Sequence, residues 1–114
     1  MSTLQVSARI KLHGDRPKDL KELAEQCVER VRQRDSGTLQ YDWFYNRDQK
    51  ECVVRETYTG SEALLAHLDH LGDLLEELNQ IGSMSVELYG DPSAELLEAL
   101  QESDVTTYEY LEGL

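Results

Sequence analysis

The order in which hydrophobic periodicity changes along the chain is the feature that most constrains the fold. Residues 4–12 alternate strictly between apolar and polar side chains, which predicts a half-buried strand. Residues 17–34 change to a helical period and predict a helix with one apolar stripe. Two β-prone segments follow at 38–46 and 51–58, joined by a polar connection of hairpin length.

The second half of the chain repeats this change of period. Residues 61–80 predict a long helix, which we expect to bend at Gly72. A strand at 83–89, a short helix at 93–102 and a β-prone tail at 104–111 follow. The apolar stripe of the long helix consists of Leu64, Leu68, Leu71, Leu75 and Leu78.

The resulting order, β-α-β-β-α-β, is typical of the ferredoxin-like α+β fold. Right-handed crossovers place both helices on one face of a four-stranded antiparallel sheet. We expect one domain over residues 1–114, extended by the short C-terminal helix and strand. The other face of the sheet carries Phe44, Val53 and Tyr89 beside basic side chains. A second copy of the chain would cover it, so we expect a homodimer.

Charge and composition narrow the range of partners. The net charge of −12 repels phosphate backbones and anionic lipid, so we expect neither nucleic acid nor a membrane as partner. Residues 1–20 lack the pattern of a secretory signal, and no apolar segment approaches 20 residues. Cys27 and Cys52 fall in apolar-periodic segments, which favours buried thiols in a reducing cytoplasm over a disulfide or a reactive thiol.

Three short segments carry a family resemblance, in a consistent order and spacing. They are residues 37–44 (GTLQYDWF), 55–58 (RETY) and 61–68 (SEALLAHL). Together with the element order, they make residues 4–90 similar to the antibiotic-biosynthesis monooxygenase family, whose members are dimeric α+β barrels. This resemblance implies oxidation of a quinol or polycyclic phenol by molecular oxygen without a cofactor.

One branch of that family degrades haem, and the sequence departs from its pattern. The branch uses an asparagine from the first strand, a tryptophan and a helix histidine around the haem. Residues 4–12 contain no asparagine, and Trp43, the one tryptophan, lies on the second predicted strand. We therefore expect no haem, and no other cofactor.

His67 is the candidate acid–base residue. At roughly 100° per residue it falls inside the apolar stripe of the long helix and points toward the sheet. A neutral imidazole there could accept a phenolic proton, and the phenolate could pass an electron to oxygen. We expect His67, Trp43 and Tyr58 to be catalytic, and Tyr41 and Tyr45 to bind a small aromatic or quinol-like substrate.

Structural interpretations of the same residues stay open. His67 and the strand aromatics are also typical of an ordinary core, and His70 lies at the edge of the stripe. Glu56 is interpreted as a buried partner of Arg9 or Arg55 rather than as a base. His67 and His70 could share a metal ion, but no cluster supplies a third ligand, so we expect no metal site.

Three classes of function therefore remain. The first is the cofactor-independent monooxygenase. The second is a non-catalytic barrel that binds a small apolar ligand, and the third is a structural dimer. Fold resemblance alone does not decide between them. The size and lining of any cavity beside His67 would distinguish them best.

Overall fold

The structure, a computed structural model that describes residues 3–114, confirms the predicted element order. The elements are β1 (Leu4–Leu12), α1 (Pro17–Arg34), β2 (Thr38–Asn46), β3 (Glu51–Tyr58), α2 (Ser61–Ile81), β4 (Gly82–Tyr89), α3 (Ala94–Ala99) and β5 (Val105–Tyr108). The first four elements have the predicted bounds, whereas α3 and β5 are shorter than the segments at 93–102 and 104–111.

The strands form one sheet in the order β2-β3-β1-β4-β5. The first four strands pair antiparallel, with Ile10 of β1 opposite Cys52 of β3 and Met84 of β4. β5 returns to the edge of β4 and pairs parallel to it. The fold is thus the predicted ferredoxin-like α+β arrangement, with a fifth strand that makes the sheet mixed.

The core lies between the two long helices and one face of the sheet. Every alternate residue of β1 from Leu4 to Leu12 is buried, as its period-2 pattern predicts. Leu20, Leu23 and Cys27 of α1 pack against this face together with the leucines of α2. Burial of this apolar surface is the main stabilising contribution of the fold.

The residues that α2 buries differ in part from the predicted apolar stripe. The side that faces α1 is fully covered and buries His67 and Leu74, whereas Leu68 and Leu75, predicted to be core, are only half-buried. Gly72 has non-helical dihedral angles and bends the helix, as expected. Neither α2 nor any other helix within residues 3–114 is long and apolar enough to cross a membrane.

Both cysteines are buried, and their thiols are not bridged in residues 3–114. Burial raises the pKa of Cys27 to about 11 and that of Cys52 to about 12. Both groups are therefore protonated thiols at neutral pH, a state in which cysteine is a poor nucleophile. The interpretation of both residues as small buried side chains is confirmed.

The outer face of the sheet is not covered by any element of residues 3–114. Phe44 remains 58% exposed there, and Arg9 lies 3.9 Å from Glu51 across the strands. At the β4–β5 edge, the rings of Tyr89 and Tyr108 stack with centroids 5.6 Å apart. A surface groove of about 850 Å³ adjoins them, and its acidic side chains are exposed to solvent.

Candidate functional site

His67 lies on the buried face of α2 and points toward the sheet, as predicted. Its side chain is 3% exposed. The imidazole is held between two tyrosine rings, with centroids 5.0 Å from Tyr41 of β2 and 5.2 Å from Tyr58 of β3. These contacts fix the ring between helix and sheet.

A buried carboxylate sets the orientation of this imidazole. Asp35, the residue after α1, is 3% exposed in its side chain. It accepts hydrogen bonds from Nδ1 of His67 at 2.8 Å, Nδ1 of His70 at 2.6 Å and the Thr38 hydroxyl at 2.6 Å. Because a carboxylate can only accept, Nδ1 of His67 carries the hydrogen. In the neutral ring Nε2 is then a free acceptor.

Gly37 brings Asp35 against α2 by close approach. A Cβ atom at this position would lie 2.6 Å from Cβ of Ala63 and 2.8 Å from Oγ1 of Thr59. The Thr59 amide donates to the Gly37 carbonyl at 2.9 Å, which ties the connection before β2 to the start of α2. A side chain at this position would force Ala63 or Thr59 to shift, so the close approach of this connection to α2 requires glycine.

Glu56 faces the free nitrogen of His67. Its Oε1 lies 3.9 Å from Nε2 of His67 and accepts a hydrogen bond from the Tyr58 hydroxyl. The expected partnership with Arg9 or Arg55 is wrong, because β-strand alternation puts both arginines on the outer face of the sheet. Glu56 therefore belongs to the same buried polar cluster as His67.

Burial gives this cluster acid–base properties near neutral pH. It raises the pKa of Glu56 to about 7, although the Tyr58 hydrogen bond partly opposes the shift. Burial also lowers the pKa of His67, against the opposing effect of Asp35. Desolvation raises the pKa of Asp35, but its three hydrogen bonds outweigh this and leave it lowered. At pH 7 the cluster thus combines an ionised Asp35, a neutral His67 and a half-protonated Glu56.

A cavity of about 70 Å³ lies beside these groups, between α2 and the sheet. His67, Glu56, Tyr41 and Trp43 line one part of it, and aliphatic side chains line the rest. Nε1 of Trp43 is buried and has no hydrogen-bond partner within residues 3–114. A buried donor without a partner is costly, and Trp43 is the cavity-lining residue that carries one.

The structure brings together four of the five predicted site residues: His67, Tyr58, Tyr41 and Trp43. Tyr45 lies outside this group, in a separate surface pocket beside Cys52. Sequence reasoning missed Asp35 and placed His70 outside the site. Within the described part of the chain, no three histidine, cysteine or acidic side chains converge as metal ligands.

Comparison with known proteins identifies the family. The sequence model described as "Antibiotic biosynthesis monooxygenase" matches residues 3–72, more than half of the chain. The chain belongs to the antibiotic biosynthesis monooxygenase family. No curated protein matches the sequence.

Several solved structures share the fold. MupZ from Pseudomonas fluorescens superposes with a TM-score of 0.88 at 19% identity, covering 100% of this chain and 94% of that one. Rv0793 from Mycobacterium tuberculosis has a TM-score of 0.69 at 23% identity, covering 81% and 97%. The N63A mutant of SnoaB, a cofactor-independent oxygenase from Streptomyces nogalater, has a TM-score of 0.68 at 15% identity, covering 82% and 97%. At these identities the likeness establishes the fold alone.

The buried state of Glu56 predicts a pH-dependent stability. A folded-state pKa of about 7 against an ordinary 4.5 means that the folded protein binds more protons between these values. The free energy of unfolding therefore falls as pH rises from 4.5 to 7, by about 3 kcal/mol from this group. Glu56→Gln removes that contribution, so its stability relative to the parent should increase by this amount between pH 4.5 and pH 8.

Urea unfolding at the two pH values measures the difference. Glu98→Gln is the control, because Glu98 is an exposed glutamate on α3, away from the buried cluster. A stability difference between Glu56→Gln and the parent that stays the same at both pH values would contradict the buried acid.

Proposed function

We propose that this protein is a cofactor-independent oxygenase that oxidises a quinol or polycyclic phenol with molecular oxygen. The observation that carries the proposal is that His67 lines the cavity, with its Nε2 3.9 Å from Oε1 of Glu56. A base with a pKa near the working pH is the most effective at removing a phenolic proton.

The chemistry requires the substrate to supply the electrons. His67, or Glu56 in its ionised form, accepts the hydroxyl proton and leaves a phenolate. The phenolate transfers one electron to oxygen, and the two radicals combine at a ring carbon to form a peroxide. Loss of the ring C–H proton and cleavage of the O–O bond leave one oxygen atom on the ring as a carbonyl group. The other leaves as water.

Trp43 supplies a stabilising donor for this sequence. Its Nε1–H is buried and lacks an acceptor within the described residues, and the Trp43 side chain lines the cavity. A fixed N–H donor in a water-poor site stabilises an oxygen that gains negative charge, such as the phenolate or the peroxide. We assign Trp43 this role, and we assign Tyr58 the role of holding the Glu56 carboxyl group in place.

The cavity volume sets a condition on substrate entry. About 70 Å³ is large enough for oxygen or a few water molecules, but typical ligand pockets measure ~300–1,000 Å³. Leu68, Leu75 and Leu100 line the cavity and are only half-buried. These are the side chains that must move aside to admit an aromatic ring, with Tyr41 as one wall of the enlarged site.

The first prediction concerns turnover. The purified protein, without added metal, flavin or haem, should accelerate oxygen consumption by a hydroquinone or polycyclic phenol in an oxygen electrode. His67→Ala should lower the rate by ~10²-fold or more, the usual contribution of a positioned base. His13→Ala is the control, because His13 is exposed in the loop between β1 and α1 and should leave the rate unchanged.

A rate for His67→Ala equal to that of the parent would show that His67 is only a core residue. If no substrate in the panel is oxidised but naphthols still bind, the protein is a non-catalytic binder of small aromatic ligands.

We also propose that two copies pair through the outer face of the sheet, in the cytoplasm. The exposed Phe44 lies on that face, where Val53 of β3 is its cross-strand neighbour. Pairing two such faces would bury on the order of 1,500 Å², the range of specific interfaces.

Light scattering at micromolar concentration should therefore report about twice the chain mass. Phe44→Glu should shift the protein toward monomer, because it places a charge beside Val53 in the proposed interface. Leu97→Glu, at an exposed position on α3, should leave the mass unchanged. A parent protein that is monomeric under these conditions would refute the pairing.

A further inference from the structure

A second apolar pocket opens between α1 and β2, the edge strand of the sheet. It measures about 270 Å³, close to the lower end of the ~300–1,000 Å³ that is usual for ligand pockets. Leu20 and Ala24 of α1 line one side, and Trp43 and Tyr45 of β2 line the other. The pocket is open to solvent, so an aromatic ring can enter it without the side-chain movements that the cavity beside His67 requires.

Two cationic side chains complete the lining of this pocket: Lys21 of α1 and Arg47 of the β2–β3 turn. Both are exposed, and neither forms an ion pair within residues 3–114. Among the described residues, no acidic side chain lines the pocket, although acidic residues outnumber lysine and arginine by 23 to 11 in the chain. Physiological salt screens charges beyond ~8 Å, so the two cations give the pocket a positive character that differs from that of the whole chain.

We propose that this pocket binds a small planar aromatic carboxylate, with its ring between α1 and β2 and its carboxylate at Lys21 and Arg47. The guanidinium group of Arg47 presents paired N–H donors that match the two oxygens of a carboxylate, and Lys21 adds a compact positive charge. The rings of Trp43 and Tyr45 offer stacked or edge-to-face contact to the ligand ring. The site is separate from the cavity beside His67, and the inference does not depend on the proposed oxidation.

The charges of the pocket determine which aromatic ligand it favours. A neutral phenol would make apolar contacts only and would leave both cations in water. A protonated amine would be repelled by the same two cations. A carboxylate gains two ion pairs in addition to the contacts of its ring, so the pocket should distinguish aromatic acids from neutral aromatic compounds.

Trp43 lines both the pocket and the cavity beside His67. A ligand that contacts its ring in the pocket therefore acts on a wall of the cavity as well. Because Trp43 is the one tryptophan of the chain, its indole N–H gives a single signal that reports on this wall. Tyr45, which the sequence suggested as a binder of aromatic ligands, would have that role here rather than beside His67.

The pocket is compatible with the proposed pairing of two copies. It lies on the side of β2 that α1 covers, whereas the copies would pair through the opposite face of the sheet. Of the described residues that line it, only Phe44 also belongs to that face. Ligand binding and pairing can therefore be measured independently.

The test is an NMR titration of the ¹⁵N-labelled full-length protein with naphthoate, and with naphthamide as a neutral ligand of the same shape. Naphthoate should shift the indole signal of Trp43 together with the backbone amide signals of Leu20, Ala24 and Arg47. We expect a Kd of ~1 mM or lower, which is reasonable for a ligand of this size. Naphthamide should bind ~10-fold more weakly, because each of two exposed ion pairs contributes up to ~5-fold.

Two double variants separate the local cations from the general charge of the protein. Lys21→Gln with Arg47→Gln should weaken the binding of naphthoate ~10-fold and leave that of naphthamide unchanged. Lys18→Gln with Lys50→Gln is the matched control, because it removes two exposed charges from α1 and the β2–β3 turn at positions outside the pocket lining. This control should bind naphthoate as the parent does.

Three results would overturn the proposal. Equal affinities for naphthoate and naphthamide would show an apolar groove without selectivity for acids. Equal weakening in both double variants would show a general effect of charge. Shifts that centre on Leu64 and Val86, which line the cavity, or no shifts at millimolar concentration, would show that the pocket is not the binding site. The measurement uses no oxygen, so its outcome is independent of whether the protein oxidises a phenol.

Discussion

The hydrogen bond from Nδ1 of His67 to the buried carboxylate of Asp35 is the interaction on which the site depends. It joins the end of α1 to α2, and the β2–β3 hairpin lies between these two helices in the sequence. It also selects the tautomer of the imidazole, and the tautomer decides that a lone pair, not an N–H, faces Glu56. Without Asp35 the ring would be only a buried polar side chain in a leucine stripe.

Burying the carboxyl groups of Asp35 and Glu56 costs free energy, which the surrounding structure offsets. A buried carboxylate is unfavourable unless its oxygens are hydrogen-bonded, and Asp35 accepts three such bonds. Glu56 avoids part of the same cost by retaining a proton up to about pH 7. The polar cluster also lies between two apolar groups of core residues, which secure the elements on either side of it. The fold can therefore hold ionisable groups at its centre.

Sequence periodicity predicted the elements well because each strand and helix buries one face. The alternation from Leu4 to Leu12 determines which face of β1 is buried in a ferredoxin-like fold. The leucine repeat does the same for α2. The direction of His67 followed from the same repeat. Asp35 could not be found in this way, because the residue after a helix belongs to no periodic pattern. Its partner on α2, His67, is also 32 residues away in the sequence. Gly37 also shows a contact that periodicity does not reveal: φ at this residue is not positive, and the close approach to Ala63 requires the glycine.

The segment that follows α3 extends the wall of the cavity beyond the residues that the family model matches. The family match ends at residue 72, and Leu100, which follows α3, still lines the cavity. MupZ aligns along the whole of this chain and shares that extension in fold. His67, which we propose as the base in its neutral form with an unprotonated Nε2, lies inside the matched region. The ¹⁵N chemical shifts of the His67 ring at pH 7 test this proposal most directly. The structure predicts a protonated Nδ1 and an unprotonated Nε2. A proton on Nε2, in either the other neutral tautomer or the imidazolium, would contradict it.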